Sequence, residues 1–153
     1  MNLLTDSFWF AVSDGDEHAR YLYERHYSCI NLKARQRSPN RDLIVGPGEK
    51  MVLLTNDGLA LFVWRKFMSK DNQAGVNCAV FRNEGAGLSS EMILEAERLA
   101  WSRWPGERLY TYINPKVIRS TNPGCCFKMA GWRVAGCTKK RNLIVLEKEY
   151  AND

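Results

Sequence analysis

Apolar positions change their spacing several times along this chain, and each change marks an element. Residues 7–14, SFWFAVSD, read as a first strand closed at Asp14-Gly15. In EHARYLYERHYS (17–28), Ala19, Leu22, Tyr23 and His26 recur at helical spacing, and Asp14 or Asp16 can cap the first turn. Residues 29–49, CINLKARQRSPNRDLIVGPGE, keep neither period and hold two prolines and two glycines, which predicts a surface loop. KMVLLTNDGLALFVWRKFMS (50–69) reads as two strands joined at Asn56-Asp57-Gly58, a hairpin signal. AGVNCAVF (74–81) predicts a fourth strand, with Val76, Cys78 and Val80 on one face.

The helical period returns in SSEMILEAERLAWSRW (89–104). Met92, Ala96, Leu99, Ala100 and Arg103 form one side, Ser89 or Ser90 is the expected cap, and Pro105-Gly106 the stop. RLYTYINP (108–115) is a fifth strand. NPGCCFKMAGW (122–132) allows a short helix from about Asn122-Pro123 to Gly131. WRVAGCTKKRNLIVLEKEY (132–150) ends the chain as two strands turning at Lys139-Lys140-Arg141-Asn142. The order does not alternate as strand-helix-strand units, which argues against a doubly wound sheet. It predicts one α/β (α+β) domain over 1–153: a mixed, mostly antiparallel central sheet flanked by helices.

Composition narrows this reading. A chain of 153 residues that is 45% hydrophobic can bury a core without staples. No apolar run approaches the ~20 residues of a membrane span. The start carries acidic residues where a secretory leader would be basic, so no membrane or export is expected. Five cysteines without a C-x-x-C pair argue against a disulfide framework or zinc knuckle and fit a reducing, cytoplasmic setting. The net charge of +5 favours an anionic partner.

Between the fourth strand and its helix stands Arg82-Asn83-Glu84-Gly85-Ala86-Gly87, either a tight turn or a phosphate cradle. Arg82-x-x-Gly85-x-Gly87 at this junction, with the order of elements, resembles the GNAT superfamily of acyl-CoA-dependent N-acyltransferases. NPGCCFKMAGWRVAG (122–136) is similar to the family's second conserved region. The resemblance implies coenzyme A (acetyl-CoA or a related acyl-CoA) as cofactor. Glycines would let backbone amides approach its pyrophosphate, aided by the positive end of the helix dipole. Carried over residue by residue, that role falls to Phe81, Arg82, Gly85, Ala86, Gly87, Leu88 and Ser89, with Asn122, Phe127 and Lys128 from the second region. The oxyanion donor would be a backbone amide near residues 78–81. One departure matters: many members place a tyrosine, as general acid, where this chain has Phe127. Another donor, transfer without one, or binding alone would follow. Tyr112 and Asn114, with Tyr110, are the alternatives on the fifth strand. Tyr110 and Tyr112 share a face that lines either a core or the cleft.

In such a fold the acceptor lies near the first helix and the loop after it. There His26, whose imidazole titrates near neutrality, could act as a base, with Tyr27 beside it. Helix-end histidines also answer the helix dipole. Lys33, Arg35, Arg37 and Arg41, with Lys139, Lys140 and Arg141, could sit on phosphates or be a solvated face. Glu-Arg-His-Tyr-Ser followed by a basic loop is similar to phage Mom-like DNA-modification proteins. That likeness implies DNA as partner, the exocyclic amine of adenine as acceptor, and a catalytic or metal-binding role for His26 and Tyr27. Iron enters by that resemblance only. His18 and His26, two turns apart on one predicted helix, have no carboxylate completing a ligand set. A duplex base would have to be flipped out, and Trp64, Trp101 and Trp104 are the tryptophans that could stack on it. Two other readings stand beside this: an acetyltransferase of a small-molecule or protein amine, and a non-catalytic binding module.

Overall fold

The computed structural model describes residues 7–26, 43–46, 48–67, 73–116 and 124–151. These form β1 (Trp9–Val12), α1 (Glu17–Glu24), β2 (Glu49–Thr55), β3 (Ala60–Lys66) and β4 (Val76–Asn83). Then come α2 (Ser89–Arg103), β5 (Leu109–Ile113), α3 (Cys125–Met129), β6 (Arg133–Cys137) and β7 (Ile144–Lys148). The strands make one sheet in the order β1-β2-β3-β4-β5-β7-β6. Only the central β4/β5 pair is parallel. This is the mixed, mostly antiparallel sheet the sequence predicts. Among the described residues no helix is long and apolar enough to cross a membrane.

Alternation along the strands divides the core between the two faces of the sheet. Leu53, Phe62, Trp64, Val76, Cys78, Leu109 and Leu146 pack beneath Met92, Ile93, Ala96 and Ala100 of α2 and beside Phe127 of α3. On the opposite face Val52, Leu54, Leu61, Val63 and Val80 pack with Ala19 and Leu22 of α1 and with Ile44. Each such side chain contributes about 1.5–3 kcal/mol by leaving water. The hairpin forms where Asn56-Asp57-Gly58 predicts it. Gly58 has φ +71°, and the Asp57 carboxylate accepts from the Thr55 hydroxyl (2.7 Å) and the Leu59 amide (3.1 Å).

The central strand departs from simple alternation. Opposite β3, Val63 pairs with Val80 but Trp64 pairs with Cys78, so Ala79 is an extra residue, a β-bulge. The bulge moves Val80 to the α1 face, away from Val76 and Cys78, against the expectation that all three share a face. It also leaves Phe81 over the α2/α3 core and Val80 over the α1 core.

Other details correct the sequence reading. Asp16 caps α1, accepting from the Ala19 amide at 2.9 Å. Asp14 is instead buried and accepts from the amides of Ile44 (2.7 Å) and Gly46 (2.9 Å). The α1 helix ends at Glu24 with Arg25 as its C-cap, so His26 lies just beyond it. Neither serine caps α2: Leu88 holds the cap position without a side-chain bond. Its buried face is Met92, Ile93, Ala96, Glu97 and Ala100, while Arg103 is exposed and donates to the Lys50 carbonyl. Buried Glu97 accepts from Trp132 Nε1 (2.8 Å) and pairs with Lys148 (2.7 Å), fastening α2 to β7 and to the chain after α3. Burial raises the Glu97 carboxyl above its ordinary range, against the pull of Lys148 and Trp132.

Candidate active site

A fork opens at the bulge. β4 and β5 share only the pairs Val76–Leu109, Asn77–Tyr110 and Cys78–Thr111. Beyond them β4 stays bonded to β3 as far as Asn83, while β5 stays bonded to β7 as far as Ile113. The strands therefore part where Ala79 is extruded, and β4 past Cys78 has no β5 ladder partner. The Thr111 hydroxyl donates to the Cys78 carbonyl (2.9 Å) at the crotch.

One flank of β4 is aromatic. Phe81 meets the Phe127 ring edge-on at 6.0 Å, and Phe127 meets Trp132 at 4.9 Å. Phe127 is only 5% exposed. Cys78 is buried beneath, and burial drives its thiol far above its ordinary range. Cys126, beside Phe127, is pushed up by burial too.

The other flank is polar. His26 sits past the end of α1, its amide bonded to the Tyr23 carbonyl at 2.8 Å. Burial first and the Arg82 charge second lower its imidazole to about 4, against a hydrogen bond to the Phe81 backbone that raises it. His26 is thus neutral at pH 7, and its bond to β4 places it beside the fork. Arg82 donates from Nη1 to the Arg25 carbonyl (2.8 Å) and from Nε to Glu84. Glu84 also receives Arg25 Nε at 2.8 Å. Hydrogen bonding to Arg82 holds its carboxyl below the ordinary range.

At the head of the fork lies the glycine turn. Gly85 has φ +113° with open space where a Cβ would stand, whereas a Cβ on Gly87 would meet the Phe8 ring at 2.8 Å. The Asn83 carboxamide oxygen accepts the amides of Gly85 (3.0 Å) and Ala86 (2.9 Å). Its nitrogen donates to the Gly87 carbonyl (2.7 Å) and the Ser89 hydroxyl (2.9 Å). The first helical bond of α2 runs from Met92 N–H to Leu88 O. The amides of Ser89, Ser90 and Glu91 therefore leave the helix end without an acceptor among the described residues. Leu88 is exposed beside them.

On β5, Tyr110 and Tyr112 do share a face, their rings 5.7 Å apart. Tyr110 is fully buried and Tyr112 half-buried. The Asn114 carboxamide accepts the Lys116 amide (3.1 Å), a turn role. Lys128 is half-buried on α3. Tyr27, Lys33, Arg35, Arg37, Arg41 and Asn122 lie outside the described residues. Trp64 and Trp104 are buried and cannot stack on a base, and Trp101 donates to the Glu107 carbonyl at 2.8 Å. His18 bonds the Gly58 carbonyl (2.7 Å) at the hairpin, away from His26. Among the described residues no three His, Cys, Asp or Glu side chains converge on a point that could hold a metal ion. Sequence reading passed over Asn83, Glu84 and Arg25. The signal for Asn83 was available, since an Asn two residues before Gly85 favours this side-chain turn.

No family model and no curated protein matches the sequence. Solved structures do match. An acyl-CoA N-acyltransferase from Pseudomonas aeruginosa aligns over 94% of this chain and 99% of that one, with TM-score 0.56 and 13% identity. A GNAT-family acetyltransferase from Listeria monocytogenes aligns over 93% and 95%, with TM-score 0.51 and 16% identity. Over the aligned residues, this chain has the fold of these GNAT-type acyltransferase structures.

Proposed function

We propose that the chain is an acyl-CoA-dependent N-acyltransferase working in the β4/β5 fork. The observation that carries this reading is the coincidence of the Ala79 bulge with the parting of β4 from β5, directly ahead of an uncapped helix end. Those features suit coenzyme A: the amides of Ser89, Ser90 and Glu91, without an acceptor among the described residues, and the open space over Gly85 would hold its pyrophosphate. When bound it supplies an activated acyl thioester. Backbone amides of β4 past Cys78, free of a β5 partner, would face the carbonyl oxygen as negative charge develops there. An attacking amine must be neutral. His26, bonded to the Phe81 backbone and neutral at pH 7, would stand beside the path of the amine. At a pKa of about 4 it orients the amine more than it abstracts the proton. Phe127 has no proton for the departing thiolate, so Tyr112 or solvent would supply it, with Asn114 in the turn just past the same strand.

The acceptor follows from charge. The formal charge of +5, the exposed tip at Lys139, Lys140 and Arg141, and Lys33, Arg35, Arg37 and Arg41 favour an amine displayed on a polyanion. The reading we favour is the exocyclic amine of adenine in DNA, as in Mom-like modification. A second reading, a binding module without turnover, has Phe127 in its favour.

Two measurements test this together. Coenzyme A should bind the wild type, and Gly85→Glu, which sets a carboxylate at the pyrophosphate, should abolish binding. Nucleoside mass spectrometry of DNA from expressing cells should show a modified adenine with the wild type only. Unchanged affinity in folded Gly85→Glu would sink the cofactor site. Binding without a new nucleoside would move the acceptor to a small or protein amine, or leave a silent module.

A further inference from the structure

The turn between β4 and α2 carries an anion of its own. Glu84 Oε2 lies 2.8 Å from Arg25 Nε, and the same oxygen accepts from Arg82 Nε. The residue is anchored at its backbone, where its N–H donates to the Leu59 carbonyl at 2.7 Å. Arg25 is held in turn by the Tyr21 hydroxyl (2.7 Å) and lies over the Tyr21 ring. The Glu84 side chain is 18% exposed, against 28% for Arg82 and 47% for Arg25. One carboxylate thus spends a single oxygen on two guanidinium groups from residues 57 positions apart.

Its neighbour repeats the pattern with a neutral group, since Asn83 Oδ1 takes the Gly85 and Ala86 amides. The Gly85 and Ala86 amides therefore have an internal acceptor, while those of Ser89 to Glu91 have none among the described residues. A phosphate-bearing ligand at the helix end would meet open amides first and then two arginines already engaged. A carboxylate carries one charge and a pyrophosphate more, so a competition for the arginines favours polyanions over singly charged ligands.

We infer that Glu84 is a specificity-determining residue of the turn, a tethered carboxylate that occupies Arg25 and Arg82 until a phosphate-bearing ligand displaces it. This rests on the transferase reading for its ligand, although not for its geometry. Displacement releases Arg82 from Glu84 and loosens the tie between the turn and the end of α1. The pair is partly exposed, so the effect on affinity is modest, about two- to fivefold.

The test is calorimetric titration of wild type, Glu84→Gln and Glu84→Ala with coenzyme A and, separately, with inorganic pyrophosphate, at low and high salt. Both variants keep the backbone bond to Leu59, and their melting is followed to confirm folding. Expected is about two- to fivefold tighter binding of both probes by the variants at low salt, narrowing as salt screens the arginines. Equal or weaker binding by folded variants, with coenzyme A still bound by the wild type, overturns the role of Glu84 alone. A gain for pyrophosphate with no coenzyme A binding by any protein upholds Glu84 and overturns the cofactor reading. No binding of either probe overturns both.

Discussion

Past the bulge, the two flanks of β4 are built from different materials. Toward α3 the contacts are rings: Phe81 on Phe127, Phe127 on Trp132, with Cys78 buried beneath. Toward α1 they are charges and hydrogen bonds: His26 on the Phe81 backbone, and Arg82 and Arg25 on Glu84. Packing of the first kind stabilises through area removed from water and fails when a cavity opens. Contacts of the second kind are individually weak in partly exposed sites, yet can be exchanged for a ligand. Alternation sends Val80 and Phe81 to opposite cores, and the extra Ala79 shifts which core each meets relative to Val76 and Cys78. The difference teaches that the α3 flank is held by packing, while the contacts of the α1 flank are of the kind that the proposed transferase reading would exchange for a ligand.

The largest effect should come from the aromatic flank. Phe127→Ala removes a ring from between Phe81 and Trp132 and should cost about 3–5 kcal/mol in urea unfolding. A loss below about 1 kcal/mol would mean that this flank collapses freely around the missing ring. The contrast with α1 would then be lost.

Next is the pH response of His26. Its folded value of about 4 lies below the ordinary 6.5, so the unfolded chain binds the extra proton between those values. Its contribution is fully present above pH 6.5 and is lost as pH falls through 4. The loss amounts to about 3 kcal/mol at most, from the size of the shift. His26→Gln should lack this component, so the stability difference between the proteins should shrink from pH 7 to pH 4. Glu84, also depressed, should add its own loss at still lower pH in both. Parallel profiles for the two proteins would show that His26 is solvated and not set against β4.

Much of this was legible in the sequence, for reasons that also explain what was not. The hairpin at Asn56-Asp57-Gly58 and the glycine turn are local signals, decided by residues within a few positions. The bulge was hidden because a central strand buried on both faces can be apolar at every position, so Val76, Cys78 and Val80 read as one continuous stripe. The α2 cap misled because Ser89 is drawn off by Asn83, six residues back. Glu84 was unreadable for a different reason, since its partner Arg25 arrives only when α1 packs beside β4. Phe127 was noticed as a missing hydroxyl. Its place in the aromatic flank depends on Trp132 turning back over α3, where the Trp132 amide bonds the Phe127 carbonyl at 3.0 Å.

The smallest effect sharpens the comparison most. Arg25→Ala removes a guanidinium that is about half exposed, so its ion pair should add little to stability and should fade in high salt. Glu84 would keep Arg82, and the Arg82 bond to the backbone carbonyl of residue 25 would survive, so the turn should stay in place. Unfolding midpoints should therefore shift little, beside the collapse expected for Phe127→Ala. If Arg25→Ala instead lowered the midpoint as far as Phe127→Ala does, the charged tie would be holding α1 to the sheet. The α1 flank would then be part of the framework, and its arginines could not be surrendered to a ligand without loosening the fold.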